Sequence, residues 1–240
     1  MSFALELGKA KRTGFLPAFL GGGILAAAVP VLNMAFRSEL YTGINASPVA
    51  VLLGANWQMM SMLNILLIVA GACILYHTEY ADNAMQKMCT LPARESAIFF
   101  GKTAVLTAAS MMLLVIEAAS ILGCSIYWFE QPADLYSEIL RSFGFFLLLM
   151  LPAILLSLLI ASVCGNMWIS LGIGVVCVFL ATMIPTRNFV LTLFPFALPF
   201  QMLSDHTADA IRNYAVAGTV EAATIALLEV IILNVRRSFA

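Results

Sequence analysis

Three glutamates stand within long apolar stretches of the chain, at Glu117, Glu221 and Glu229. A carboxyl group costs free energy inside a membrane, and it usually faces a helix-bundle interior where it serves a substrate or ion path. The alternative is a structural role, in which the carboxyl group is protonated or hydrogen-bonded to a neighbouring helix. Glu117 and Glu221 are the candidate path residues. Glu229 lies about two turns before Arg236 and is interpreted as an interfacial residue.

Other residue types give weaker indications of chemistry. Asp205, His206 and Asp209 offer three potential metal ligands, but no fourth ligand accompanies them, so a solvated loop is predicted. The five cysteines, at positions 73, 89, 124, 164 and 177, include no C-x-x-C pair and are predicted to be packing residues. No Walker A, G-x-S-x-G or H-E-x-x-H motif occurs, so no cofactor, metal or catalytic residue is predicted for this chain.

The composition defines the environment in which these side chains must be positioned. Of the 240 residues, 62% are hydrophobic and only 10% are charged, whereas soluble domains carry about 25% charged residues. A chain this apolar is expected to fold in a lipid bilayer as an all-α protein with a single transmembrane domain, residues 1–240. The net charge of −1 and the lack of a basic run give no indication of nucleic-acid binding.

Apolar runs of about 20 residues predict transmembrane helices. The stretch between Arg141 and Arg187 has no acidic or basic residue and is long enough for two crossings, so we divide it at the turn signal Gly165–Asn166. The first run continues past Ala26 to Phe36, longer than the core of a signal peptide, and is predicted to be retained. Six spans result: residues 14–36, 56–76, 103–125, 142–164, 167–185 and 213–234.

Six spans place both termini on the same side of the membrane. If that side is the cytoplasm, eight basic residues lie in inner segments and four in outer segments, in agreement with the positive-inside rule. Glu117 and Glu221 then lie in the outer halves of their spans. The inner residues are Lys9, Lys11, Arg12, Lys87, Arg94, Lys102, Arg236 and Arg237, and the outer residues are Arg37, Arg141, Arg187 and Arg212.

Two segments outside the spans also have recognisable patterns. Residues 1–13 mix apolar and basic side chains, which predicts an N-terminal interfacial segment, either a short helix on the inner surface or a simple positive anchor. The sequence F-P-F-A-L-P-F at residues 194–200 is apolar but is broken by Pro195 and Pro199. It predicts a re-entrant element before the sixth span.

The cytoplasmic segment between spans two and three has helical periodicity that ends at Leu91–Pro92. It could be a simple connector, or it could be a docking helix whose methionine-bearing face inserts into a groove on a soluble partner. Its apolar positions follow the i, i+3, i+4, i+7 pattern: Ala81, Ala84, Met85 and Met88.

The motif in this region resembles that of ABC-2-type transporter permeases. It comprises Glu79, Lys87, Thr90-Leu91-Pro92, Arg94 and Gly101-Lys102. With its chain length, six spans and re-entrant element, the protein resembles in particular the permease subunits of lantibiotic-immunity and related peptide-antibiotic exporters.

The resemblance implies a cytoplasmic coupling helix seated in a groove of an ATPase. The implied ATPase-coupling residues are Glu79, Asp82, Met85, Lys87, Met88 and Leu91. It also implies that ATP and Mg²⁺ belong to a separate ATPase dimer, that a second, similar permease completes a hetero-oligomer, and that the complex lies in a bacterial plasma membrane. Lantibiotic-type antimicrobial peptides are the implied substrate. Because such peptides are often cationic, an acidic vestibule at Glu117 and Glu221 would attract them.

Two alternatives stay open at this point. The chain could belong to an ABC-2 exporter of a lipid or another drug, or it could be a non-transporting scaffold or sensor whose cytoplasmic helix recruits a regulator.

Small and polar residues in the first two spans predict helix packing. Gly22-x-x-x-Ala26 and Gly23-x-x-x-Ala27 place small residues on one side of span one, for close packing within the chain or against a second permease. Pro30 predicts a kink in the same span. Asn33 and Asn64 are predicted to form hydrogen bonds between helices.

Overall fold

The computed structural model describes residues 3–11, 13–80, 95–130, 132–184 and 188–239, and every regular element in these ranges is helical. Two 3₁₀ turns, Leu198–Phe200 and Leu203–Asp205, precede the last helix. The predicted all-α class is therefore confirmed for this part of the chain. The α-helices are α1 (Phe3–Lys11), α2 (Phe15–Thr42), α3 (Pro48–Tyr80), α4 (Glu95–Trp128), α5 (Leu135–Val163), α6 (Met167–Met183), α7 (Phe189–Thr192) and α8 (Ala208–Phe239).

Five of these helices, α2, α3, α4, α5 and α8, are long and apolar enough to cross a membrane. The protein is therefore a multi-pass membrane protein. Helix α6 is apolar but has only 17 residues, which at about 1.5 Å per residue falls short of a hydrocarbon core of about 30 Å. A sixth crossing at α6 stays a prediction.

The helices extend beyond the apolar runs that predict them. Helix α3 covers Pro48–Tyr80 around the predicted span 56–76, and α4 begins at Glu95 rather than at residue 103. Hydropathy marks only the apolar part of a helix, whereas its ends depend on capping groups. Ser47 Oγ accepts a hydrogen bond from the backbone N–H of Ala50 at 3.2 Å, and the Asn166 side chain caps α6 by accepting from Trp168 N–H.

Helix α3 lies at the centre of the bundle, where it packs against α2, α4, α5 and α6. Helix α2 also packs along α4, and α8 packs on α5. Trp57 of α3 stacks on Phe146 of α5 with ring centroids 3.5 Å apart. These contacts make α3 the element through which most of the fold is connected.

The small-residue face of α2 lies against helices of the same chain. A Cβ atom added to Gly22 would lie 2.4 Å from Leu67 Cδ1 of α3, and one added to Gly23 would lie 3.3 Å from Ile116 Cδ1 of α4. Ala26 and Ala27 are buried on this face. The missing side chains thus allow α2 to approach both neighbours closely.

The backbone of α2 departs from helical geometry at Arg37 (φ −141°, ψ 30°) and not at Pro30. Pro30 is buried within a continuous helical segment, whereas Arg37 follows Phe36, where the apolar run ends. The structure thus places a break at the end of the run. The kink at Pro30 stays a prediction, because a proline can bend a helix whose φ and ψ angles remain helical.

Candidate functional site

Buried polar side chains along α3 connect it to three other helices. Asn56 Oδ1 accepts a hydrogen bond from Asn33 Nδ2 of α2 at 2.8 Å, and Asn64 Nδ2 donates to Glu117 Oε2 of α4 at 3.1 Å. Farther along α3, Cys73 Sγ lies 3.2 Å from Ser170 Oγ of α6. The predicted interhelical roles of Asn33 and Asn64 are therefore confirmed.

Glu117 is completely buried between α3 and α4. Its Oε1 atom and Asn64 Oδ1 have no hydrogen-bond partner among the described residues. The carboxyl group is thus held by one amide donor, and the path role of Glu117 stays a prediction.

Glu221 and Glu229 both lie on α8 but differ in exposure. Glu221 is half-buried, and its Oε2 atom has no hydrogen-bond partner among the described residues. No hydrogen bond in the described part of the chain joins it to Glu117, so an acidic vestibule formed by the two stays a prediction. Glu229, interpreted from its position as interfacial, is fully buried.

The proline-broken segment before α8 is folded into the bundle. The carbonyl oxygen of Pro199 accepts two hydrogen bonds from α3, from Trp57 Nε1 and from Ser61 Oγ, each at 2.9 Å. Phe196 and Leu198 of this segment are fully buried. A carbonyl that receives two buried donors fixes the segment firmly against α3.

Two adjoining cavities surround this segment. The first, of about 420 Å³, lies between the start of α3, the end of α6 and residues 200–205. The second, of about 460 Å³, lies between residues 200–206 and the helices α7 and α8. Phe200 and Asp205 line both cavities.

The Asp205, His206 and Asp209 side chains have separate partners. His206 Nε2 lies 3.1 Å from Gln201 Oε1, and Asp209 forms an exposed ion pair with Arg212 at 3.7 Å. Within the described ranges, no group of three potential ligands is arranged to hold a metal ion.

A buried ion pair joins the three helices α1, α3 and α4 near the C-terminal end of α3. Lys102 Nζ of α4 donates to the Leu75 carbonyl of α3 at 2.6 Å and to Glu6 Oε2 of α1 at 3.3 Å. Lys102 also lies 5.0 Å from the centre of the Tyr76 ring. Lys9 Nζ donates to Glu6 Oε1 at 2.8 Å. Lys102 and Glu6 are each only 1% exposed.

The electrostatics of this cluster favour the ionised carboxylate. Burial of Glu6 opposes its ionisation, but the hydrogen bonds and positive charges of Lys9 and Lys102 outweigh it and lower the pKa of Glu6 below its ordinary value. The N-terminal segment is therefore a helix fixed to α4 by charge and hydrogen bonds.

The sequence does not predict this cluster, because the position of Lys102 at the start of an apolar run indicates a charge at the membrane surface. Two signals point to it in retrospect. Glu6 is the single acidic residue in the first 13 positions. Gly101 precedes Lys102, and a Cβ atom at Gly101 would lie 3.3 Å from Glu6 Cγ. The glycine therefore permits α1 to approach α4.

The predicted coupling segment lies between the two helices that Lys102 connects. Helix α3 ends at Tyr80 and α4 begins at Glu95. Glu79 belongs to the last turn of α3, but its side chain lies outside the described residues. So do Asp82, Met85, Lys87, Met88 and Leu91, and their coupling role stays a prediction.

Comparison with known proteins gives the chain a family. Residues 2–181, three quarters of the chain, match the model of the ABC-2 family transporter proteins. Neither the comparison with curated proteins nor that with solved structures gave a significant match. The match covers α1 and the central helices α2 to α5 with their buried polar contacts. The chain belongs to the ABC-2 family of transporter proteins.

Proposed function

We propose that this permease belongs to an exporter that expels lantibiotic-type antimicrobial peptides from a bacterial plasma membrane. The permease role follows from a single observation, the family match over residues 2–181. The peptide substrate is supported by the resemblance of the chain length, six predicted spans and re-entrant element to lantibiotic-immunity permeases, whereas the motif around Glu79, Lys87 and Pro92 supports the ABC-2 class.

ATP and Mg²⁺ are assigned to a separate dimer of cytoplasmic ATPase subunits. In this proposal, residues 79–91 form the coupling helix that receives their movement. The Lys102 cluster supports the assignment, because it joins the helix before this segment, the helix after it and α1. A displacement of the segment would therefore move three helices together.

The proposed topology has six crossings, with α6 as the fifth, and both termini in the cytoplasm. The positive-inside rule supports this orientation. A second, similar permease completes the complex. Exposed apolar side chains on α6, among them Ile169, Val176 and Phe179, provide surface for lipid or for that subunit.

Co-purification tests the proposal. The permease is expressed together with its neighbouring genes, and we expect an ATPase to purify with it. In the Lys87→Glu variant the complex should assemble, but peptide-stimulated ATP hydrolysis should fall at least tenfold. Lys11→Glu, a charge reversal at an exposed position of α1, is the matched control and should retain activity.

Two results would contradict the proposal. A complex purified without any ATPase would exclude the transporter role and favour a scaffold or sensor. Unchanged sensitivity of a deletion strain to every lantibiotic tested would exclude the peptide substrate.

A lipid or other apolar drug is the second candidate substrate, and one observation favours it. An apolar groove of about 410 Å³ runs between α4 and α5, lined by residues that include Met111, Val115, Leu140 and Gly144. Its walls offer almost no polar groups, as an acyl chain requires. A changed lipid composition of the outer leaflet in the deletion strain would support this alternative.

A further inference from the structure

The two cavities that share Phe200 and Asp205 lie at the end of α3 remote from residues 81–94. Gly54, Trp57 and Gln58 line the first cavity near the start of α3. The 33 residues of α3 extend for about 50 Å, which exceeds the thickness of a membrane core. In the proposed topology, the cavities therefore open on the outer face.

The walls of the cavities combine one carboxylate with aromatic surfaces. Among the described residues that line them, Asp205 is the one carboxylate, and neither lysine nor arginine occurs. Tyr214 has two ring neighbours, with centroids 5.0 Å from Phe189 and 4.9 Å from His206. A carboxylate next to aromatic faces is the chemistry that binds an ammonium or guanidinium group.

Hydrogen bonds hold these walls in place. Tyr214 Oη lies 3.0 Å from Thr192 Oγ1, which joins α7 to α8. Gln201 is buried and contacts His206, while the Pro199 carbonyl two residues earlier is fixed by Trp57 and Ser61. The aromatic groups are therefore positioned before any ligand arrives, which lowers the entropy cost of binding.

We propose that the two cavities form one outward-facing site for a cationic group of the exported peptide. A lysine ammonium or the terminal amine pairs with Asp205, and an adjacent apolar side chain lies against Phe200 and Tyr214. Each volume is at the lower end of the range for ligand pockets, about 300–1,000 Å³. The site therefore accepts one or two side chains rather than a whole peptide. The identity of the ligand rests on the proposed peptide export.

The test uses the purified permease–ATPase complex in nanodiscs of phosphatidylcholine, a zwitterionic lipid with no net charge. A fluorescent amphipathic peptide of leucine and lysine is titrated in, and its counterpart with glutamate in place of lysine measures binding without positive charge. We expect Asp205→Asn to weaken binding of the lysine peptide about tenfold and Asp205→Glu to retain most of it. Asp209→Asn removes the same charge four residues away, from a side chain that lines neither cavity, and should change little.

Each outcome decides a separate question. Equal affinity of the Asp205→Asn and Asp209→Asn complexes for the lysine peptide overturns the site. Equal affinity of the unmodified complex for the lysine and glutamate peptides also overturns it. If binding depends on Asp205 while a deletion strain shows unchanged sensitivity to lantibiotics, the site stands and the proposed substrate fails.

Discussion

The ammonium group of Lys102 is buried among α1, α3 and α4, where it donates to Glu6 and to the Leu75 carbonyl. Removing one partner of a buried ion pair costs about 3–5 kcal/mol, because the other charge is left without compensation. We expect Lys102→Met to lower the Tm of the purified permease by several degrees. Lys11→Met is the matched control. It removes a lysine from an exposed position of α1, where a substitution usually changes stability by less than about 0.5 kcal/mol.

The Glu6→Gln Lys102→Met double variant separates pairing from packing. With both charges removed, Tm should recover in part relative to Lys102→Met alone. Equal Tm values for Lys102→Met and Lys11→Met would show that the buried pair does not stabilise the fold.

The same pair predicts a dependence on pH. The pKa of Glu6 is lowered from 4.5 in the folded protein, so its contribution to stability is complete above that value. The contribution is lost as the pH falls through the lowered pKa. The difference in Tm between the unmodified protein and Glu6→Gln should therefore shrink in acid, and a difference that grows there would contradict the assignment.

At the scale of elements, α6 packs closely against α3 because Gly174 has no side chain. A Cβ atom at Gly174 would lie 2.3 Å from Val69 Cγ1, and the branched valine has little freedom to move away. We expect Gly174→Ala to destabilise the protein by about 1–3 kcal/mol through overpacking, measured as a lower Tm.

Gly172 provides the matched control on the same helix. A Cβ atom there meets nothing within 4 Å, so Gly172→Ala should be neutral or slightly stabilising, since alanine favours helix by about 1 kcal/mol. Adding Val69→Ala to Gly174→Ala should restore part of the lost Tm. If both alanine variants behave alike, α6 does not pack on α3 as described.

The length of the apolar runs predicts the elements better than the contacts between them. The centres of α2, α3, α4, α5 and α8 follow directly from apolar runs, because a bilayer requires backbone hydrogen bonds to be satisfied within each helix. Asn64 was predicted to bond between helices because an amide in an apolar run needs a partner.

The remaining contacts depend on pairs that a single chain does not reveal. Trp57 and Ser61 both donate to the backbone carbonyl of Pro199, and any residue can supply a carbonyl group. Lys102 stands at the edge of an apolar run, where a lysine usually reaches the interface. Its partner Glu6 lies 96 positions earlier in the sequence.

At the scale of the whole molecule, α3 connects the proposed coupling segment to the proposed ligand site. Its C-terminal end leads into residues 81–94 and carries the Leu75 carbonyl that receives Lys102. Near its N-terminal end, Trp57 and Ser61 hold Pro199 beside the two cavities. In the proposed mechanism, a rigid helix with both attachments transmits movement of the coupling segment to the two cavities.

This connection predicts the behaviour of the Trp57→Phe Ser61→Ala variant. The phenylalanine retains an aromatic ring against Phe146, but the Pro199 carbonyl loses both donors, which costs about 1–3 kcal/mol for a buried acceptor. Assembly and basal ATP hydrolysis depend on the other end of α3 and should be unchanged. Peptide resistance in cells should fall about tenfold, because the outer segment no longer follows α3.

The control is Trp168→Phe Ser137→Ala, which makes the same two substitutions at exposed positions and should retain resistance. Full resistance in the Trp57→Phe Ser61→Ala strain would mean that the Pro199 attachment plays no part in transport, and loss of basal hydrolysis would place its effect at the ATPase instead.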